Sequence, residues 1–207
     1  SLVPQVATDA VMVKSEVLDE ADHPAVKGVD FNSPNVSLDM IMNSMITTGF
    51  QATEVGRAIQ EINRMRAWRL SDEPVKENED DDFKDPEVRR NTKCKIFLSY
   101  TSNMISSGVR EVIRYLVEHK MVDVLVTTAG GIEEDIMKCI SPHQLGDFGK
   151  WKGRELRLRG INRIGNLLVP NKNYCDFEDF FAPVLDKMLD AQENESKIWS
   201  PSAVIRE

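Results

Sequence analysis

The run Val122-Asp123-Val124-Leu125-Val126-Thr127-Thr128-Ala129-Gly130-Gly131-Ile132-Glu133-Glu134-Asp135 restricts the fold more than any other segment of the chain. Apolar, mostly β-branched residues from Val122 to Thr127 predict a buried strand. Gly130 and Gly131 let the backbone turn sharply and approach a ligand with no Cβ in the way. The helix that follows presents unpaired N–H groups and the positive end of its dipole, which suits a phosphate. Glu133 and Glu134 stand in its first turn. Acids there compensate the dipole of any helix. They also offer a counter-charge to a polycation beside a nucleotide, so the segment points to a dinucleotide cofactor next to an amine. A strand, two glycines and a helix occur in many α/β proteins, and G-x-G-x-x-G is absent. The local pattern alone therefore leaves a structural turn equally open.

The preceding segment decides between these readings. Lys95-Ile96-Phe97-Leu98-Ser99-Tyr100 predicts a strand, and Thr101-Ser102-Asn103 a cap-rich turn. Ile105, Val109, Val112, Ile113, Leu116 and Val117 mark one helix ending near Lys120, where His119 suits the negative end of the dipole. Strand, helix and strand within about thirty residues form a βαβ unit with parallel strands and a right-handed crossover. Ligands in such sheets sit at the carboxyl ends of the strands. Thr101–Asn103 and Thr128–Gly130 are thus expected on one rim.

Elsewhere the pattern is helical. Val11, Val13, Val17 and Leu18 suggest a short helix from Ala10 to Leu18, and Val26 to Phe31 an extended piece. Ser37 is an N-cap for a helix through Met45, whose methionines read as core filling. After Gly49, a helix from Ala52 to Ala67 carries Val55, Ala58, Ile59, Ile62 and Met65 on a stripe expected to be buried. Glu77-Asn78-Glu79-Asp80-Asp81-Asp82 has no apolar period and predicts a solvated loop. Lys152, Arg154, Arg157 and Arg159 form a basic stretch; Ile161 to Pro170 reads as a turn and a short strand. Phe177, Phe180, Phe181, Val184, Leu185, Met188 and Leu189 predict an amphipathic helix that starts late or kinks at Pro183. Ser200-Pro201-Ser202 starts a last helix.

Composition narrows the function. A net charge of −8 over 207 residues argues against general nucleic-acid binding and for basic partners. No apolar run is long enough to span a bilayer, and Ser1-Leu2-Val3-Pro4-Gln5 is not a signal-peptide start. Cys94, Cys139 and Cys175 are scattered, as are His23, His119 and His143, so neither a disulfide framework nor a metal site is expected. These features together predict a cytoplasmic protein.

With these residues in place, the sequence resembles the deoxyhypusine synthase family. The blocks are Thr47-Thr48-Gly49-Phe50-Gln51-Ala52-Thr53 with Gly56-Arg57-Ala58; Tyr100-Thr101-Ser102-Asn103-Met104-Ile105-Ser106-Ser107-Gly108; Asp123 to Asp135; and Gly160-Ile161-Asn162-Arg163-Ile164-Gly165-Asn166-Leu167-Leu168-Val169-Pro170-Asn171. They run in order from about Gly28 to the C-terminus, weakest after Ser71. The resemblance implies a Rossmann-like α/β fold with a parallel sheet and flanking helices, incomplete in this chain and preceded by an N-terminal helical region. It implies a transferase that uses NAD and spermidine and passes an aminobutyl group, through an enzyme lysine, to a lysine of a translation factor. A homotetramer with sites at subunit interfaces is implied as well. Ser102, Asn103, Met104, Ile105, Ser106, Thr128, Ala129 and Gly130 are the implied cofactor contacts. Glu133 and Glu134 are the implied spermidine carboxylates, with Glu134 also near the nicotinamide ribose.

The family's imine-forming lysine belongs to a C-terminal half that these residues do not contain, so no catalytic residue is assigned here. Lys138 and Lys152 lie outside that motif. The expectation is the N-terminal half of the enzyme, partnered by a separate C-terminal chain. The alternatives are a non-catalytic regulatory relative that binds NAD and a homospermidine-forming transferase. The expected organisation is an extension (1–34), a helical region (35–70), an acidic surface loop (71–92) and the first half of the NAD-binding domain (93–207).

Overall fold

A computed structural model describes residues 4–6 and 16–207. The chain forms two compact units, one ending at Cys94 and one beginning at Lys95. The helix expected from Ala10 to Leu18 lies mostly outside the described residues; Val17 and Leu18 are exposed and belong to no helix.

In the first unit, α1 (Leu38–Thr48) begins at Ser37, whose Oγ accepts from Met40 N at 3.2 Å. It runs a turn beyond Met45, with no buried residue. The extended segment before it docks on its end: Lys27 N donates to Thr47 O at 2.9 Å, and Thr47 Oγ1 donates to Lys27 O at 2.6 Å. Gly49 (φ 99°) reverses the chain into α2 (Phe50–Ala67). The two helices meet at Gly56, where a Cβ would lie 2.5 Å from the backbone nitrogen of Ile46. The stripe expected to be buried is not: Val55 is 43% and Ile62 50% exposed. Helical period identifies an apolar face, but α1 docks on the side defined by the missing side chain of Gly56. Gly56→Ala is therefore expected to destabilise this unit by about 1–3 kcal/mol, despite alanine's better helix propensity, because backbone atoms have no room to yield. Urea unfolding followed by circular dichroism checks this; an unchanged midpoint would show that the helices separate freely.

The acidic segment has more order than its composition suggests. Single helical turns at Leu70–Asp72 and Asp81–Phe83 precede α3 (Pro86–Asn91). Asp85 caps α3 by accepting from Glu87 N at 2.7 Å and Val88 N at 3.2 Å. Arg89, 4% exposed, organises the segment. Its guanidinium donates to Leu70 O (2.8 Å), Glu73 O (2.7 Å) and Phe83 O (2.9 Å), and pairs with Glu79 at 3.5 Å.

The second unit opens with β1 (Phe97–Tyr100), parallel to β2 (Val124–Thr127), with Phe97 opposite Val124 and Tyr100 opposite Thr127. Asp123 fixes the entry, its carboxylate accepting from Ile96 N at 2.8 Å. The crossover is two helices, α4 (Ser102–Ser106) and α5 (Val109–Glu118), rather than the single helix expected. Ser107 leaves helical geometry (ψ 178°), and its Oγ accepts from Val109 N at 3.2 Å, starting α5 afresh. The strands are not buried: Phe97 is 67% and Val126 53% exposed. Each has one sheet neighbour, and its exposed side chains lack a covering layer among the described residues.

After β2 comes α6 (Ala129–Ile140). Then β3 (Gln144–Leu145), α7 (Gly153–Leu158), β4 (Ile161–Ile164) and β5 (Leu167–Pro170) follow. The stretch from Ile161 to Pro170 is a hairpin of two strands, not one, because Gly165 (φ 60°) and Asn166 make a tight turn. β3 joins to give an antiparallel sheet in the order β3-β5-β4. α8 (Asn171–Asn194) is one continuous element through Pro183. Its expected late start is absent because the helix begins directly after Pro170. α9 (Pro201–Arg206) starts at Ser200, whose Oγ accepts from Ala203 N at 3.2 Å. Ile105, Ile113, Met137, Leu156 and Val169 form the buried apolar set. Among the described residues no helix is long and apolar enough to cross a membrane.

Candidate functional site

The two rim loops end adjacent parallel strands, and each opens a helix. Neither helix start is closed by its own cap: the side chains of Thr101 and Thr128 make no capping bond. The leading N–H groups of α6, on Ala129 and Gly130, have no intrahelical acceptor. The two starts touch. A Cβ on Gly130 would lie 3.1 Å from Ser102 Cβ and 3.4 Å from Ser102 Oγ. Gly131 packs α6 on the strand end, where a Cβ would meet Thr127 Oγ1 at 2.3 Å. The glycine pair thus brings two positive helix ends together.

The expected contact residues divide by burial. Asn103, Met104, Thr128 and Ala129 are exposed on the rim, and Ser102 and Gly130 are half-buried against each other. Ile105 and Ser106 turn inward and are buried. Glu133 and Glu134 are half-buried on α6. Ser106 Oγ donates to the Glu134 carboxylate, joining α4 to α6.

Three neighbours were not signalled by sequence pattern. Lys138 donates to Ile105 O (2.8 Å), Ser106 O (3.1 Å) and Ser107 O (2.9 Å). Burial, followed by the nearby Arg110 charge, lowers its pKa from the usual lysine value. Its spacing four residues after Glu134 placed both on one helix face, which was the available clue. His143 holds both ring nitrogens away from solvent, and neither makes a well-formed hydrogen bond among the described residues. Burial pushes its pKa down, while Glu134 opposes that shift and Lys138 adds to it. Tyr174, on α8, has its phenol pKa raised by burial and then by the charges of Glu134 and Glu133. Arg110 anchors the far side of α6, donating to Asp135 Oδ1 at 2.6 Å and Cys139 Sγ at 3.1 Å. No metal-binding cluster occurs among the described residues.

The geometry therefore offers open backbone donors for an anion and two carboxylates one turn deeper for a cation. Residues 40–207 match the family model for deoxyhypusine synthase. The chain belongs to the deoxyhypusine synthase family. It is 54% identical over 202 residues to a probable deoxyhypusine synthase of Dictyostelium discoideum, covering 98% of this chain and 52% of that protein. Against deoxyhypusine synthase of Brassica napus the identity is 52% over 196 residues, covering 94% of this chain and 52% of the relative. A crystal structure of a protein assigned as a deoxyhypusine synthase, from Entamoeba histolytica, superposes with a TM-score of 0.54 at 33% identity, covering 87% of this chain and 52% of that one. The chain spans about half the length of these curated deoxyhypusine synthase relatives. The family's α/β fold, with a parallel strand pair and an N-terminal helical region, is the one described above.

Proposed function

We propose that this chain supplies the cofactor-facing and polyamine-facing half of a deoxyhypusine synthase. The reaction is NAD-dependent transfer of the aminobutyl group of spermidine to a lysine of a small translation factor. The enzyme lysine that carries the group comes from the part of the family's length that these residues do not span, on this polypeptide or on another. The observation that carries this reading is the meeting of two open helix starts at Ser102 and Gly130, with Glu133 and Glu134 one turn in.

Each residue type fits its role. The Ala129 and Gly130 amides and the dipole of α6 would hold the cofactor's pyrophosphate. Ser102, Asn103, Met104 and Thr128 line the same rim and would orient the cofactor. Bound NAD would supply the reversible hydride transfer that the reaction needs. Glu133 and Glu134 would hold the polyamine's ammonium groups. In this reading the working unit is a homotetramer-like assembly, and the C-terminal half of the domain covers the exposed apolar strands.

Gly130→Val tests the rim. A branched side chain there forces Ser102 and α4 away from α6, separating the donors. NADH affinity of the full-length assembly, followed by fluorescence titration, is expected to fall about ten- to a hundred-fold. Wild-type affinity in this variant would remove the rim loops from the cofactor site.

A further inference from the structure

We infer that Lys138 is a positioning residue whose ammonium fixes α4 in its cofactor-binding shape, through the three carbonyls of Ile105, Ser106 and Ser107. The inference rests on the proposed NAD site. α4 has only five residues, too short to be stable as a helix by itself. The Ile105 and Ser106 carbonyls have no continuing helix to accept from, because the chain breaks at Ser107, whose own carbonyl also accepts from Arg110 N at 3.4 Å. Lys138 Nζ meets Ile105, Ser106 and Ser107 carbonyls at 2.8, 3.1 and 2.9 Å, which uses all three ammonium protons.

The cation also lies at the negative end of α4, where charge and dipole agree. The latch is shared with Glu134, on the same face of α6, which accepts from Ser106 Oγ. One helix thus grips α4 at its side with a carboxylate and at its end with an ammonium. Gly130 sets the distance between the two helix starts at Ser102. Lys138 is consequently a fixed cation rather than a free amine. Its ammonium has no proton left over for a substrate, although it stands beside the proposed polyamine carboxylates.

The test uses the full-length assembly with Lys138→Met and Lys138→Arg. Methionine keeps most of the apolar stem and removes the charge; arginine keeps the charge, but its planar fork cannot reach three carbonyls grouped around one point. Two quantities are read: hydrogen exchange of the Met104 and Ser107 amides without cofactor, and NADH dissociation constant by fluorescence. In Lys138→Met, both are expected to rise about tenfold or more, and Lys138→Arg should show the same direction while remaining folded. A wild-type assembly that does not bind NADH defeats the functional reading instead, whatever the exchange shows. If wild type binds NADH and neither quantity moves in either variant, the inference is overturned. Faster exchange with unchanged NADH affinity also overturns it, by showing that α4 is held by Lys138 but does not hold the cofactor.

Discussion

Arg89→Met is expected to open residues 70–91 at a loss of about 3–5 kcal/mol. Methionine fills much of the volume but donates no hydrogen bond. The carbonyls of Leu70, Glu73 and Phe83 lose their donor, and Glu79, with a side chain only 18% exposed, is left as an unpaired charge. The guanidinium is what ties the turns at Leu70–Asp72 and Asp81–Phe83 together, while the acidic residues between them repel one another. Limited proteolysis should then cut within 70–91, and the urea midpoint of the first unit should fall. Arg89→Lys keeps the charge but not the forked geometry, so it should show only part of the loss. A destabilisation below about 1 kcal/mol in Arg89→Met would mean that the segment is held by its helix caps alone.

Glu134→Gln in the full-length assembly is expected to raise the KM for spermidine about ten- to a hundred-fold while leaving NADH affinity nearly unchanged. The amide keeps an acceptor oxygen for Ser106 Oγ, so the link between α4 and α6 survives. What disappears is the charge opposite an ammonium group. Steady-state kinetics and NADH titration on the same preparation separate the two ligands. Equal loss of both would identify Glu134 as a strut between helices. No change in either would leave Glu133 as the polyamine carboxylate.

Both substitutions act on contacts of different legibility. Glu134 stands out in the sequence, paired with Glu133 just after two glycines; the helix starts earlier than expected, at Ala129, so the glycines form its first turn and both acids fall in the second. Arg89 does not: it is one of a basic pair ending a short helix, and its acceptors lie 6 to 19 residues away. Lys138 carries no motif of its own, yet it reaches carbonyls 31 to 33 residues distant. His143 had no spacing to mark it, and only the fold brings it near Glu134 and Lys138.

The sequence by itself determined the local elements that depend on neighbours a few positions apart. The caps at Ser37 and Ser200, the reversal at Gly49 and the strands Phe97–Tyr100 and Val124–Thr127 follow from periodicity and turn chemistry, and the parallel pairing of those strands from the length of the helical connection between them. Tertiary structure decided which apolar faces are covered and which polar groups act together. The stripe of α2 and the strands β1 and β2 carry the patterns of buried elements and remain largely open within this chain. The acidic segment carries the pattern of a loop and is tied around Arg89. The physical reason is the same in each case. Backbone conformation is selected by short-range sterics and hydrogen bonds that a sequence window contains, whereas burial and side-chain bonding need a partner whose position only the folded chain supplies.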